Sequence, residues 1–218
     1  MVTSYCKPVN QNVNSLDKQK NMIHSAQEFI RYLGNKANKN EKTIISSKNG
    51  SIYIAQFFVI IILAILKRPK YIKEFLLSII VFIKGSNDLL YEKNNFLTHG
   101  DLNTNNIFKI KNGFAIIDFE QTIFSFEPLE IATFISSRRN SKDLVSQILK
   151  DFVIYTKHHS LFYSLALFST IYSLTGSISK QSEKTYMDVV KFSIYNSLPI
   201  TKYLSRKTSH FNTIAITK

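Results

Sequence analysis

Cysteine and glycine are scarce in this chain, and their scarcity removes whole classes of structure. Cys6 is the single cysteine among 218 residues, so no internal disulfide can form and a reducing cytoplasm is the expected location. The six glycines stand far apart, which excludes a glycine-rich loop of the kind that cradles phosphates. Residues 1–19 are polar and lack an apolar centre, so they do not predict a secretory signal.

Acidic residues are also few, and they are unevenly placed. The chain has 28 lysines and arginines against 15 acids, a formal net charge of +13, yet residues 101–130 hold five acids and two bases. A local excess of carboxylates suits divalent cations, while the positive remainder attracts anionic ligands. A general abundance of lysine, asparagine and isoleucine explains the net charge equally well.

The basic residues do not form the long clusters that nucleic-acid surfaces use. The densest clusters lie at residues 67–70, 138–139 and 206–207, and no zinc-finger or aromatic RNA-binding signature accompanies them. We therefore expect no nucleic-acid partner.

Two short motifs carry most of the recognisable chemistry. Thr98-His-Gly-Asp-Leu-Asn-Thr-Asn-Asn106 is followed, after a short interval, by Ile116-Ile-Asp-Phe-Glu120. Phosphoryl transfer needs a carboxylate that orients the attacking hydroxyl and accepts its proton, together with oxygen ligands for magnesium. Asp101, Asn106 and Asp118 supply these groups, so the pattern predicts a phosphoryl-transfer site.

The residues between the motifs predict a β-hairpin. Two apolar runs, 107–110 and 114–117, flank an Asn-Gly turn signal. A two-residue turn would pair Ile107 with Asp118, whereas a three-residue loop would pair Asn106 with Asp118 at the open end.

We expect the three-residue loop, with Gly113 in the left-handed position. This register gives the hairpin one apolar face and brings two hard oxygen ligands to one magnesium. The apolar face would consist of Phe108, Ile110, Phe114 and Ile116.

The two motifs resemble the catalytic core of the aminoglycoside phosphotransferase and choline kinase family, a branch of the protein-kinase-like fold. The family's His-Gly-Asp-Leu-x-x-x-Asn loop is matched at residues 99–106, and its Ile-Asp-Phe/Trp-Glu segment at residues 117–120. A third family element, roughly Asp-Pro-x-x-Asp-Leu-Ala, corresponds to Glu127-Pro-Leu-Glu-Ile-Ala132, where glutamate replaces both aspartates.

The resemblance implies a role for each matched residue. Asp101 would be the catalytic base, and His99 would organise the catalytic loop. Asn106 and Asp118 would bind magnesium, with Glu120 as a secondary candidate that binds metal indirectly or touches substrate. The implied cofactors are ATP and Mg²⁺. The implied fold is α+β and protein-kinase-like, mainly the helical C-terminal lobe with a β-hairpin at the catalytic loop.

The resemblance is incomplete at the N-terminus, where the family carries a nucleotide-binding lobe. We expect residues 1–50 to form a short segment, a candidate remnant of that lobe, residues 51–200 the kinase-like lobe, and residues 201–218 a tail. Lys42 and Lys48 are the candidates for the family's phosphate-anchoring lysine, although each also fits an ordinary surface charge.

Three interpretations of the short N-terminal region stay open. The chain is an active kinase with a minimal lobe, a fragment whose lobe is lost or is supplied by another polypeptide or a second copy, or a non-catalytic binding or regulatory module. The intact catalytic loop favours activity or a recent truncation.

The expected reaction is transfer of phosphate from ATP to a hydroxyl of a small molecule, such as an aminoglycoside, choline or a sugar. Glu120, Glu127 and Glu130 favour a cationic acceptor slightly. A simpler interpretation of these glutamates is that they start helices or form ion pairs.

The most apolar stretch is Ile52–Leu66, followed by a basic segment and a second apolar stretch, Phe75–Ile83. Fifteen residues is short of the roughly 20 that a membrane-spanning helix needs, and runs of this length are typical of buried core helices. We therefore expect core helices and no membrane association.

Helical periodicity predicts the remaining elements. A helix is expected over Lys18–Leu33, ended by Gly34, and short strands at Thr43–Ser47 and Ser51–Ala55, the second of which competes with the apolar helix. Three further helices are expected at Ser141–Thr156, Leu161–Leu174 and Tyr186–Ser197. The tail from Lys202 to Lys218 is expected to be loosely held.

Overall fold

The computed structural model describes residues 15–37, 49–91, 96–110, 113–137, 143–145, 147–148 and 159–198. It is mostly helical, with four short strands among these residues, in agreement with the expected α+β class. The chain divides into two compact units, one from Met1–Lys48 and Lys93–Ile148 and one from Asn49–Glu92 and Leu149–Lys218. The predicted domain boundaries at residues 50 and 200 stay predictions.

The second unit is a helical bundle. Helix α2 spans Gly50–Lys67, a short 3₁₀ helix spans Pro69–Tyr71, and α3 spans Ile72–Tyr91. Helices α5, His159–Thr175, and α6, Lys180–Ser197, complete it. Helix α5 is buried on almost every side, because α2, α3 and α6 all pack against it.

Aromatic side chains fill the core of this bundle. The rings of Phe57 and Phe82 stack in parallel with their centroids 3.7 Å apart, and Tyr53 meets Phe168 edge to face at 5.0 Å. Large rings that exclude water in this way supply most of the stabilisation that a helix bundle gains from packing.

Polar caps and an ion-pair cluster fix the ends of these helices. The side chain of Asn49 accepts a hydrogen bond from the backbone N–H of Ile52 and caps α2, and Ser179 caps α6 in the same way. At the turn between α2 and α3, Glu183 accepts from Arg68 Nε at 3.2 Å and from Lys70 Nζ at 2.6 Å. These contacts hold the turn against α6.

The first unit combines a long helix with two pairs of strands. Helix α1 spans Leu16–Lys36. Strands β1, Phe96–Thr98, and β4, Ile123–Ser125, pair antiparallel, as do β2, Ile107–Ile110, and β3, Gly113–Ile116. A 3₁₀ helix at Phe119–Gln121 precedes β4, and helix α4, Leu129–Ile135, follows β4.

Several sequence-based boundaries were wrong or lie outside the described residues. Helix α1 does not end at Gly34 but continues to Lys36. Gly34 instead allows α1 to pack closely on β1, since a Cβ at this position would come within 2.6 Å of Leu97 Cβ. Ser51–Ala55 belongs to α2 and forms no strand, whereas Thr43–Ser47 lies outside the described residues.

The helices expected near residues 52–66, 75–83, 161–174 and 186–197 are confirmed, each within a longer helix. Residues 143–145 and 147–148 are helical, as expected for the segment 141–156, and the rest of that segment lies outside the described residues. So does the predicted tail from Lys202 to Lys218.

The hairpin forms as expected, but both expected registers were wrong. Ile110 pairs with Gly113 and Ile107 with Ile116, two residues short of the two-residue-turn proposal and one residue short of the three-residue-loop proposal. Ile107 is fully buried while Ile110 is exposed, and this difference determines which face of β2 turns inward. The proposed four-residue apolar ladder therefore does not form, because Phe108 lies opposite Ala115.

We expect Gly85→Val to destabilise the helical bundle by about 1–3 kcal/mol, because overpacking pushes neighbouring elements apart. A Cβ at Gly85 on α3 would lie 2.7 Å from the Ser160 carbonyl oxygen of α5. Urea denaturation measures the difference. Gly176→Val is the matched control, since the nearest atom to its Cβ is at an ordinary 3.5 Å. Equal effects of the two substitutions would contradict this packing account.

Candidate active site

Two segments of the first unit meet at the predicted site. One is the loop between β1 and β2, residues 99–106, and the other is the turn after β3, residues 117–121. The ring Nε2 of His99 donates to the Ile117 carbonyl at 2.8 Å, and the Ile117 N–H donates to the Asn106 carbonyl at 3.0 Å. These two bonds join the predicted catalytic loop to the residue just before Asp118.

The loop that carries Asp101 is folded by asparagine side chains. Asn106 Nδ2 donates to the Asp101 carbonyl at 2.9 Å and to its carboxylate Oδ2 at 3.3 Å, and Asn103 Nδ2 donates to the same carbonyl at 2.9 Å. Asn103 Oδ1 also accepts from the Asn105 N–H. Asp101 is thus held in one orientation at a half-buried position.

The role of Asn103 was missed in the sequence. Its side chain is fully buried and bonds the backbone of Asp101 and Asn105. Its backbone carbonyl accepts from the Asn106 N–H and closes the turn. The signal that pointed to it was the run Asn103-Thr-Asn-Asn106, since asparagine side chains commonly bond the backbone two residues further on.

Asp118 has an unusual backbone conformation. Its φ is 65° and its ψ is 58°, and it is the only non-glycine residue with positive φ in the described part of the chain. Such a conformation costs about 1–3 kcal/mol and is concentrated at functional sites. The expected pairing of Asn106 with Asp118 was wrong, because Asn106 bonds Ile117 and the left-handed residue leaves the strand ladder, with its side chain exposed.

His99 is buried as a neutral ring. Because the Ile117 carbonyl can only accept, Nε2 carries the proton, and Nδ1 is buried with no hydrogen-bond partner. Burial lowers the pKa of His99, while the Ile117 carbonyl and the carboxylates of Asp101 and Asp118 raise it less. This geometry suits a residue that organises the loop. The centroid of the Phe119 ring lies 4.7 Å from the centroid of the His99 ring.

The buried carboxyl of Glu130 holds the same loop through backbone hydrogen bonds. Its Oε2 accepts the backbone N–H of His99 at 2.6 Å, and the N–H of Gly100 also donates to the carboxyl. Burial raises the pKa of Glu130 to about 7; the two N–H groups lower it, and the Asp101 charge raises it further. The expectation that Glu130 favours a cationic acceptor was wrong, because its side chain is buried and bonds the backbone of His99.

Gly100 occupies a position that only glycine fits. Its φ is +80°, and a Cβ would stand 2.3 Å from the Gln121 carbonyl oxygen. The close approach brings the loop against the turn that contains Glu120, whose side chain is exposed. Glu127 forms an ion pair with Arg31 of α1.

Asn106 and Asp118 carry oxygen atoms of the kind that bind magnesium. Both hydrogen bonds of the Asn106 side chain use Nδ2 and none uses its Oδ1, and the Asp118 side chain is exposed. Magnesium takes few protein oxygens and keeps water and phosphate in its other positions. The described residues contain no group of three or more His, Cys, Asp and Glu side chains that would form a fuller metal cage. The roles of Asp101, His99, Asn106, Asp118 and Glu120 stay predictions.

The lysines proposed to anchor phosphate, Lys42 and Lys48, lie outside the described residues.

Comparison with known proteins supports a distant relationship in fold. No protein-family model matches the chain, and no curated protein matches it by sequence. Among solved structures, a choline kinase from Cryptosporidium parvum Iowa II is similar, with a TM-score of 0.50 and 14% identity over 94% of this chain and 73% of that one. At this identity the likeness shows the fold alone, and it agrees in part with the kinase-like fold that the motifs implied.

We expect Glu130→Gln to change how stability depends on pH. A carboxyl whose folded pKa is about 7 binds its proton more tightly than the unfolded chain does, so its contribution is complete below pH 4.5 and is lost as pH rises to 7. The free energy of unfolding that Glu130 contributes, and that is lost over this pH range, is on the order of 3 kcal/mol. His99 acts with the opposite sign, because a buried neutral histidine destabilises the fold as pH falls.

The difference in the pH dependence of stability between the unmodified protein and Glu130→Gln separates the contribution of Glu130 from that of His99. Chemical denaturation at pH 5 and pH 8 should show a smaller fall in stability with rising pH in the variant. Glu127→Gln removes an exposed carboxylate nearby and is the matched control for net charge. An unchanged pH dependence in Glu130→Gln would contradict the assignment.

Proposed function

We propose that this protein is an ATP- and magnesium-dependent phosphotransferase that acts on a hydroxyl of a small molecule. The observation that carries the proposal is the hydrogen-bonded loop in which Asn106 orients Asp101 while His99 ties the loop to the residue before Asp118. A carboxylate, an amide oxygen and a second carboxylate are the groups that phosphoryl transfer requires. The fold likeness to a choline kinase supports the same reaction class.

Each residue in this proposal has a defined task. Asp101 orients the acceptor hydroxyl and takes its proton, because two amide groups fix its main chain and a third contact reaches its carboxylate. Asn106 and Asp118 hold Mg²⁺, which when bound offsets the negative charge of the nucleotide phosphates. His99, being neutral and buried, positions the loop and takes no proton.

The acceptor is proposed by chemical class only. Choline, an aminoglycoside and a sugar each offer a hydroxyl, and the exposed Asp118 and Glu120 favour a cationic acceptor over a neutral one. A panel of the three classes, compared at equal concentration, separates them.

Thermal unfolding with and without Mg-ATP tests the nucleotide site directly. A ligand at about a hundredfold excess over its Kd stabilises the folded state by about 2.7 kcal/mol, which raises the Tm by roughly 5 °C in a chain of this size. We expect this shift to require magnesium and to be lost in Asp118→Ala. No shift in a chain that unfolds cooperatively would contradict the proposal and favour a non-catalytic binding or regulatory module.

We expect Asp101→Asn to abolish phosphate transfer while the Mg-ATP thermal shift is retained, because the amide cannot accept the hydroxyl proton. General-base catalysis contributes typically 10²–10⁴-fold, so turnover should fall by at least about a hundredfold. A coupled ADP-release assay measures it. The control is Glu127→Gln, which removes a carboxylate that pairs with Arg31 and should leave turnover unchanged. Full turnover by Asp101→Asn would rule out its role as base.

A further inference from the structure

Helices α2 and α3 carry apolar side chains on the side that faces solvent. We define the α2–α3 surface by six of them: Val59, Ile62, Leu66, Ile72, Leu76 and Ile80. All six are exposed, and the exposed fraction of the residue runs from 48% at Ile72 and Ile80 to 72% at Leu66. Single exposed apolar residues are ordinary, but a patch of this kind marks an interaction site.

The two stripes lie on one side of the helical bundle. Val59, Ile62 and Leu66 follow helical spacing along α2, while Phe57 and Ala64 point inward and are buried. Helices α2 and α3 pack beside each other and both pack on α5. Their outer sides therefore face the same way, away from α5.

Helix α2 is unusually apolar for a helix that is mostly uncovered. It is the only helix among the described residues that is long and apolar enough to cross a membrane, and only 33% of it is buried. Its inner side is already used, because Phe57 stacks on Phe82 of α3 and Tyr53 contacts Phe168 of α5. A helix held in this way can lie on a membrane without crossing it.

Positive charge gathers at one end of the α2–α3 surface. Lys67 ends α2 and donates to the Thr175 carbonyl, Lys70 lies in the 3₁₀ turn and pairs with Glu183, and Lys73 lies in the first turn of α3. All three residues are exposed. The same corner holds two acids: Glu183 pairs with Arg68 and Lys70, and Glu74 follows Lys73 in the chain. Four bases against two acids leave this corner with a positive excess.

We propose that the α2–α3 surface binds an anionic lipid membrane, with its apolar side chains in the interface and its lysines at the headgroups. Apolar burial and attraction to anionic headgroups are the two contributions that hold such helices on a membrane. A second copy of the chain would bring the same positive corner and a net charge of +13, which opposes association. Membrane binding by this surface is contrary to the expectation of no membrane association, and it does not depend on the proposed enzymatic activity.

Vesicle flotation of the full chain tests the proposal. The probes are phosphatidylcholine vesicles with and without phosphatidylserine. We expect binding that is stronger with phosphatidylserine and that weakens with added salt. Ile62→Ser combined with Leu66→Ser should lower the partition coefficient at least about tenfold, because two large apolar side chains are removed. Lys67→Gln and Lys73→Gln should each lower it about fivefold, on the anionic vesicles only.

Tyr32→Ser is the matched control, because Tyr32 is a large exposed side chain of α1 in the other unit, and its binding should equal that of the unmodified chain. Cooperative thermal unfolding of every variant shows that the fold is kept. Absence of binding by the folded chain would overturn the proposal, as would equal binding by Ile62→Ser/Leu66→Ser and Tyr32→Ser. A dimer in sedimentation that these serines break, without vesicle binding, would assign the surface to a second copy instead.

Discussion

Buried hydrogen bonds around His99 hold the candidate site together. The ring of this residue binds the Ile117 carbonyl, and its backbone N–H binds the Glu130 carboxyl, so one residue joins β1, the turn after β3 and helix α4. Unmade hydrogen bonds at buried polar atoms are expensive, and this makes the loop hard to displace. These bonds also fix the positions of Asp101 and Asn106, because both residues lie on the loop that begins at His99. Positioning of this kind is most of what a phosphoryl-transfer site contributes.

Local sequence was enough to predict that residues 107–116 form a hairpin, because its two strands are close in the chain. It did not predict how the preceding loop folds, since the bonds of Asn103 and Asn106 to Asp101 were missed. The register was missed because it depends on the burial of Ile107, which the alternation of residue types does not reveal. The role of Glu130 was missed because its bond to His99 spans 31 residues. The helices were predicted well, since their apolar periodicity is long, and the errors lie at their ends.

The helical bundle has a feature that packing within the chain does not explain. Helix α5 is buried by three neighbours, so the bundle already has its core, and the apolar outer side of α2 adds nothing to it. A chain that exposes this much isoleucine and leucine loses solubility unless something covers it. The predicted core helices were therefore correct as helices, but half of their apolar residues face outward.

The left-handed backbone at Asp118 links stability and evolvability. Glycine adopts such a conformation without strain, so a selection for stability alone would favour glycine at this position. Such a replacement would relieve the backbone strain and remove the carboxylate that follows β3. Backbone strain and the carboxylate therefore make opposite demands at Asp118, and a library of this chain screened first for heat resistance and then for ligand binding would separate the two demands at a single codon.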